Sequence, residues 1–145
     1  LHWGRNWGRR PESGHRQLAG ALVEAGADVV FGHSCHVFRG VEVMKGSPIV
    51  YSAGDFIDDY AVDPEERNDE SLLFSIEAQR GRLTGLELVP TLINECRAEL
   101  ALGLDGARIL KQMRRQCGRL GTQMTARDSK GIITLGPSQA RVSHG

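Results

Sequence analysis

The chain has 145 residues, 40% of them hydrophobic and 25% charged, with 18 basic against 18 acidic side chains and hence no formal net charge. That length suffices to bury about two-thirds of the unfolded chain's surface in one domain. The zero balance excludes a strong overall pull on nucleic acid or membrane. The absence of any run of 18 apolar residues excludes a transmembrane helix. Three widely spaced cysteines, Cys35, Cys96 and Cys117, read as reduced thiols rather than a disulfide framework.

Residues Trp3 to Gly14 are rich in Gly and Arg and read as a loop. From His15 the pattern is helical, with Leu18, Leu22 and Ala25 on the core face and Gly26 as the stop. A buried strand, Asp28 to Phe31, follows and runs into Gly32-His33-Ser34-Cys35-His36. Open α/β sheets place their chemistry just past the carboxyl ends of strands. A glycine before the first histidine lets backbone come close to an ion or phosphate. Spacing alone leaves two readings of this turn. His33 and His36 converge on a metal, or one bonds to backbone while the other is exposed. Cys35 reads as a small packed residue, since thiolate is a poor match for an oxygen-and-imidazole hydrolytic site.

Val41 and Val43 form a half-buried strand, Lys45-Gly46-Ser47-Pro48 a turn, and Ile49-Val50-Tyr51 the returning strand, broken by Gly54-Asp55. Asp55, Asp58 and Asp59 either orient ligand imidazoles or touch substrate, or are solvated acids; Asp58 and Asp59 are placed in the solvated acidic loop Asp58 to Glu70, while both readings stay open for Asp55 at the strand end. Leu72, Phe74 and Ile76 alternate as a strand. Arg80-Gly81 turns it back through Leu86 and Leu88, and Pro90 is expected to end the return. Asp105 is the expected N-cap of a helix to Leu120, with Leu110, Met113, Cys117 and Leu120 as its core stripe. Opposite them Arg108, Lys111, Arg115 and Arg119 read as its wet face, because no aromatic stacking platform interleaves with them. A hairpin of Thr122 to Ala126 and Gly131 to Leu135 turns at Asp128-Ser129-Lys130, and residues 137–145 form a disordered tail. The fold class is α/β, with a mixed sheet and antiparallel hairpins. His2 opens the chain as a further imidazole, and Arg5 and Arg9 follow it closely enough to hold an anionic substrate beside a metal.

The ordered series His2-Trp3-Gly4, Gly26 to Val30, Gly32 to Val37, Gly40 to Val43, Pro48 to Tyr51 and Gly54 to Ile57 resembles the C-terminal half of the CapA-type proteins. These are named for poly-γ-glutamate capsule synthesis and fall in the calcineurin-like metallophosphoesterase superfamily. The likeness covers roughly residues 1 to 136. It implies a partial metallophosphoesterase-type α/β/β/α sandwich and a site for two divalent metal ions (Mn, Fe or Zn). His2, His33 and His36 would be metal ligands, Asp55 catalytic, and Arg5 and Arg9 substrate-binding. Members more often carry His-Pro-His where this chain has Ser34-Cys35-His36 after its first turn histidine, and Asn in place of Asp55.

The remaining metal-binding carboxylates and an Asn-His motif would come from an N-terminal half outside these residues, so the fragment is expected to be inactive alone. The expected function is that of a CapA-like, metal-dependent hydrolase acting on a phosphoester or polyglutamate-like anion, without nucleic acid as partner. The expected compartment is cytoplasmic, with membrane association through an N-terminal anchor outside the chain as a further arrangement. The alternative is a non-catalytic scaffold or interaction module that keeps the fold.

Overall fold

The computed structural model describes residues 1–136, so the expected tail at 137–145 lies outside the described residues. Its first unit is a three-stranded sheet in the order β1-β3-β2, built from β1 (Val30–Phe31), β2 (Val41–Met44) and β3 (Ser47–Val50). β2 and β3 form a hairpin closed by Lys45 and Gly46, both at positive φ, the two-residue turn that suits the twist of paired strands. Ser47 and Pro48, read as turn residues, are already in the strand. β1 lies parallel to β3 and is shorter than expected, because pairing begins only at Val30. Residues 1–3 run beside 31–33. The terminal amine donates to the Phe31 carbonyl, His33 N to Leu1 O, and Trp3 N to His33 O.

Helix α1 (Ser13–Glu24) covers this sheet, but with a different face from the expected one. Ala19 and Val23 are buried, Leu22 is half-buried, and Leu18 is 49% exposed. His15 stacks on Trp3 with centroids 5.0 Å apart. That contact turns the 15/19/22/23 stripe inward and leaves Leu18 and Ala25 outside. Gly26, at φ +106°, ends the helix as expected.

The second unit is antiparallel. β4 (Glu70–Gln79), β5 (Arg82–Asn94), β8 (Lys130–Thr134) and β7 (Thr125–Arg127) pair in that order, and β6 (Arg97–Leu100) adds to β5. Pro90 does not end β5. Its carbonyl accepts from Ala101 N on the side where β8 has stopped pairing at Leu88 and β6 begins at Thr91, so the missing N–H removes no ladder bond. β6 escaped the sequence reading because Arg97-Ala98-Glu99-Leu100 is a mostly polar edge strand. The segment 58–70 is not wholly solvated either. Asn68, Asp69 and Glu70 are buried, and Glu70 Oε1 accepts from Arg108 Nε at 2.8 Å.

Helix α2 (Gly103–Arg119) packs across both sheets. Its N-cap is Leu102, and Asp105 lies within the first turn, paired with Arg108 at 2.6 Å, where a carboxylate suits the helix dipole. Ile109, Leu110, Met113 and Cys117 face the core that joins Val41 and Val50 of the first sheet to Leu72, Leu86, Leu88 and Ile133 of the second. The N–H groups of Val41 and Val43 at the edge of the first sheet are met by Cys117 Sγ (3.4 Å) and Thr122 Oγ1 (3.1 Å). A second apolar cluster, Trp3, Ala19, Val23, Val30, Ile49 and Tyr51, lies under α1. Among the described residues the architecture is thus mixed α/β with two sheets and two helices. Among the described residues no helix is long and apolar enough to cross a membrane.

Candidate metal centre

The candidate site gathers where β1 and β3 end. After β1 the chain passes through Gly32 to His33. Added to Gly32, a Cβ would lie 2.2 Å from Trp3 Nε1 and 2.6 Å from the Tyr51 carbonyl. Trp3 Nε1 itself donates to Tyr51 O at 2.9 Å. The glycine therefore makes room for an indole and a carbonyl of the protein, not for an ion or phosphate. With Trp3 fixed, its neighbour His2 stands beside His33, the two exposed rings 5.0 Å apart in an edge-to-face arrangement.

His36 faces a different set of groups. Asp55 follows Gly54, whose φ of +78° bends the chain as it leaves β3. His36 Nδ1 lies 2.8 Å from Asp55 Oδ2 and 3.1 Å from Oδ1. Asp58 completes the group: ligand atoms of His36, Asp55 and Asp58 lie within 4.8 Å of one another, all three residues half-buried. Among the described residues this is the one such group of three. His2 and His33 come together with each other but do not join His36 in one such group. Burial, and then the Asp58 carboxyl, push Asp55 up to about 6, with His36 offsetting part of the rise. Asp58 Oδ2 is buried without a hydrogen-bond partner. Two crowded carboxylates, one with an orphaned oxygen, beside an imidazole form a nitrogen-and-oxygen donor set that a divalent cation would complete.

The surrounding shell explains how these groups are held. Arg39, 1% exposed, donates to the backbone carbonyls of Gly8 (2.9 Å) and Arg5 (3.2 Å), and His36 N donates to Asn6 O (2.8 Å). These bonds clamp the 4–8 loop over the histidine turn. The rings of Trp7 and Tyr60 flank His36 at 5.2 and 5.3 Å. Cys35 is buried, with its thiol directed at Gly8 O (3.6 Å) and pushed up by burial, and it takes no part in the group.

The arginines divide. Arg5 is 89% exposed at its side chain, with a loose pairing to Glu12 at 3.9 Å. Arg9 lies over Phe38, donates to the Glu66 carbonyl and faces Gln112 of α2. The sequence placed Asp58 in the solvated loop and gave no role to Trp7, Tyr60 and Arg39. The one available signal was the Asp55-x-x-Asp58 spacing, which is indistinguishable from an ordinary acidic run until Asp58 is seen to fold back.

The first 60 residues match the family described as bacterial capsule synthesis protein PGA_cap. The chain is 33% identical over 132 residues to a Mycobacterium tuberculosis protein described as "Probable polyglutamine synthesis accessory protein", a match covering 88% of this chain and 35% of that relative. It is 35% identical over 94 residues to the PGA biosynthesis protein CapA of Bacillus subtilis, covering 65% of this chain and 24% of the relative. To the capsule biosynthesis protein CapA of Bacillus anthracis it is 30% identical over 135 residues, covering 92% and 32%. The aligned regions thus span about a quarter to a third of these relatives' lengths.

Proposed function

The chain belongs to the CapA (PGA_cap) family of capsule synthesis proteins, and from that premise we propose that it supplies part of a metal-dependent hydrolytic site. The site would act on a phosphoester or a related bond of a polyanionic polymer, in a pathway for a poly-γ-glutamate-type capsule. The fold in the whole protein would be the metallophosphoesterase-type α/β/β/α sandwich, of which the two sheets and two helices here form a part. The observation that carries this reading is the meeting of His36, Asp55 and Asp58, with an orphaned Asp58 oxygen, at the ends of β1 and β3.

His36 and Asp58 would hold a divalent cation, and His2 and His33 would contribute to a second. Such ions, when bound, supply Lewis acidity toward a phosphoryl or acyl oxygen. Asp55 acts by accepting the hydrogen bond of His36 Nδ1, which fixes the ring and leaves Nε2 as its donor atom. Trp7 and Tyr60 restrict the ring's rotation and keep water from part of the group. In this reading Arg5, exposed near the site, steers an anionic substrate toward it.

Calorimetric titration with Mn²⁺ and with Zn²⁺ tests the proposal. The chain is expected to take up at least one equivalent. His36→Ala and Asp58→Asn should each weaken uptake by about tenfold or more, while melting stays cooperative. Absence of uptake, or uptake unchanged in Asp58→Asn, would end the metal reading and leave the non-catalytic scaffold as the better account. Hydrolysis of bis-p-nitrophenyl phosphate and of polyglutamate by a full-length family member carrying the same substitutions would then assign the reaction.

A further inference from the structure

The zero net charge of the chain conceals an uneven distribution. On the outer face of α2, Lys111, Arg114, Arg115 and Arg119 are exposed, and among the described residues none of them has a carboxylate within 4.0 Å. Arg108, earlier on the same helix, is neutralised by Glu70 and Asp105. A cleft of 610 Å³ runs beside the four free cations, and no acidic residue lines it. Large apolar side chains crowd the start of the same helix: Leu100 is 62% exposed, Leu102 68% and Leu104 89%. Ala101 between the first two is buried, so the chain there turns its small side chain inward and its leucines outward. A second cleft, of 340 Å³, lies between the start of α2 and the β7–β8 turn. Ala101, Gly106 and Ala107 line it together with Lys111 and Arg114, which it shares with the first. Single exposed leucines are ordinary, but three within five residues beside a row of unpaired cations mark an interaction surface.

We propose that this surface docks on an anionic phospholipid bilayer. Leu102 and Leu104 enter the boundary between headgroups and acyl chains, and the outer face of α2 lies along the headgroups. Helical periodicity sets Leu104, Lys111 and Arg115 within about 40° of one another around the axis, so a single approach brings leucine and cations to one plane. Leu104 and Arg119 are about 22 Å apart along the helix, a reach that suits an extended charged plane better than a single small anion. A bilayer supplies both halves of what the surface lacks: phosphates for the ammonium and guanidinium groups, and hydrocarbon for the leucines. A second copy docked face to face would bring two rows of cations together, and like charges in contact oppose association. A soluble polyanion would leave the leucines in water. Among the described residues no helix is long and apolar enough to cross a membrane, so the chain lies on the surface. The surface contains none of His36, Asp55 and Asp58, and the proposal does not depend on the metal reading.

Co-sedimentation of the 145-residue chain with vesicles, in EDTA, tests it. Binding to vesicles of about three parts phosphatidylcholine to one part phosphatidylglycerol should be about tenfold or more tighter than to phosphatidylcholine alone. The Leu102→Ser, Leu104→Ser and the Lys111→Glu, Arg115→Glu double variants should each weaken it about tenfold or more. Their melting temperatures should match the parent's, because all four side chains are exposed. The Arg80→Glu, Arg82→Glu double variant makes the same charge change at the exposed β4–β5 turn and should stay within about twofold. Tryptophan emission of Leu104→Trp should shift to the blue on vesicles more than that of the parent chain. The proposal is overturned by no binding to the anionic vesicles, by equal binding to both vesicle types, or by equal losses in the two charge-reversal variants. Undiminished binding in the leucine variant overturns it too, as does release by soluble glycerol phosphate matched to the lipid phosphate. Self-association lost in the same variants, without vesicle binding, would assign the surface to a second copy and overturn it likewise.

Discussion

At the scale of single residues, the site rests on close approaches that leave little slack. Gly32 is the clearest case, because its missing side chain is what lets Trp3 reach the Tyr51 carbonyl and so sets His2 beside His33. Gly32→Ala should displace the indole and cost about 1–3 kcal/mol, the usual penalty for overfilling a packed site. The expected readout is a lower melting temperature together with a changed near-ultraviolet circular dichroism signal from Trp3. An unchanged spectrum would show that the indole is not held as described. The histidines were legible in the sequence as chemistry-bearing residues. Their sorting into a His2–His33 pair and a His36–Asp55–Asp58 group was not, because it depends on which ring faces which segment across the turn. Asp58 looked like one more solvated acid, and only the fold-back of the chain after Gly54 gives it a role.

At the scale of elements, α1 is tied to the first sheet by a network in which the half-exposed Arg16 reaches the buried Glu42 and Tyr51. Arg16 donates twice to Glu42, at 2.5 and 3.1 Å, and Tyr51 Oη donates to Glu42 Oε2 at 2.6 Å. Burial by itself would raise the Glu42 carboxyl, but the hydrogen bonds from Arg16 and Tyr51 outweigh it and hold the group below its ordinary 4.5. A carboxyl depressed in the folded state gives stability above its unfolded pKa, and that stability is lost as pH falls through the folded value. Glu42→Gln should therefore cost about 1–3 kcal/mol at pH 7, with the gap to the parent chain closing below about pH 4. Urea unfolding at pH 7 and pH 3.5 measures this, and a gap that persists undiminished in acid would refute it. The helices, the β2–β3 and β7–β8 hairpins and the glycine stops were legible because period and turn chemistry are local. The inward face of α1 was not, since Leu18 and Ala19 offer competing stripes and the choice is made by His15 stacking on Trp3 from outside the helix.

At the scale of the whole molecule, one apolar core joins the two sheets through α2. Ile109 and Met113 are fully buried between Val41 and Val50 on one side and Leu86, Leu88 and Ile133 on the other. Met113→Ala should cost about 2–5 kcal/mol. It should also lower the transition seen by tryptophan fluorescence, which reports Trp3 and Trp7 near the first sheet, by as much as that seen by far-ultraviolet circular dichroism. Two separated transitions would mean that the sheets are independent units.

Local chemistry is what the amino-acid order determined by itself: apolar periods, turn residues, imidazoles after a strand, and a series of short stretches specific enough to point to the family. Pairing partners were decided only in three dimensions. Pro90 continues β5 because its vacant N–H side falls between two partner strands. Glu70 is buried because Arg67 and Arg108 meet it from a loop and a helix. Asp58 joins His36 because the chain doubles back. Each of these outcomes depends on groups distant in sequence or on the path of the chain, and neither period nor composition carries that information.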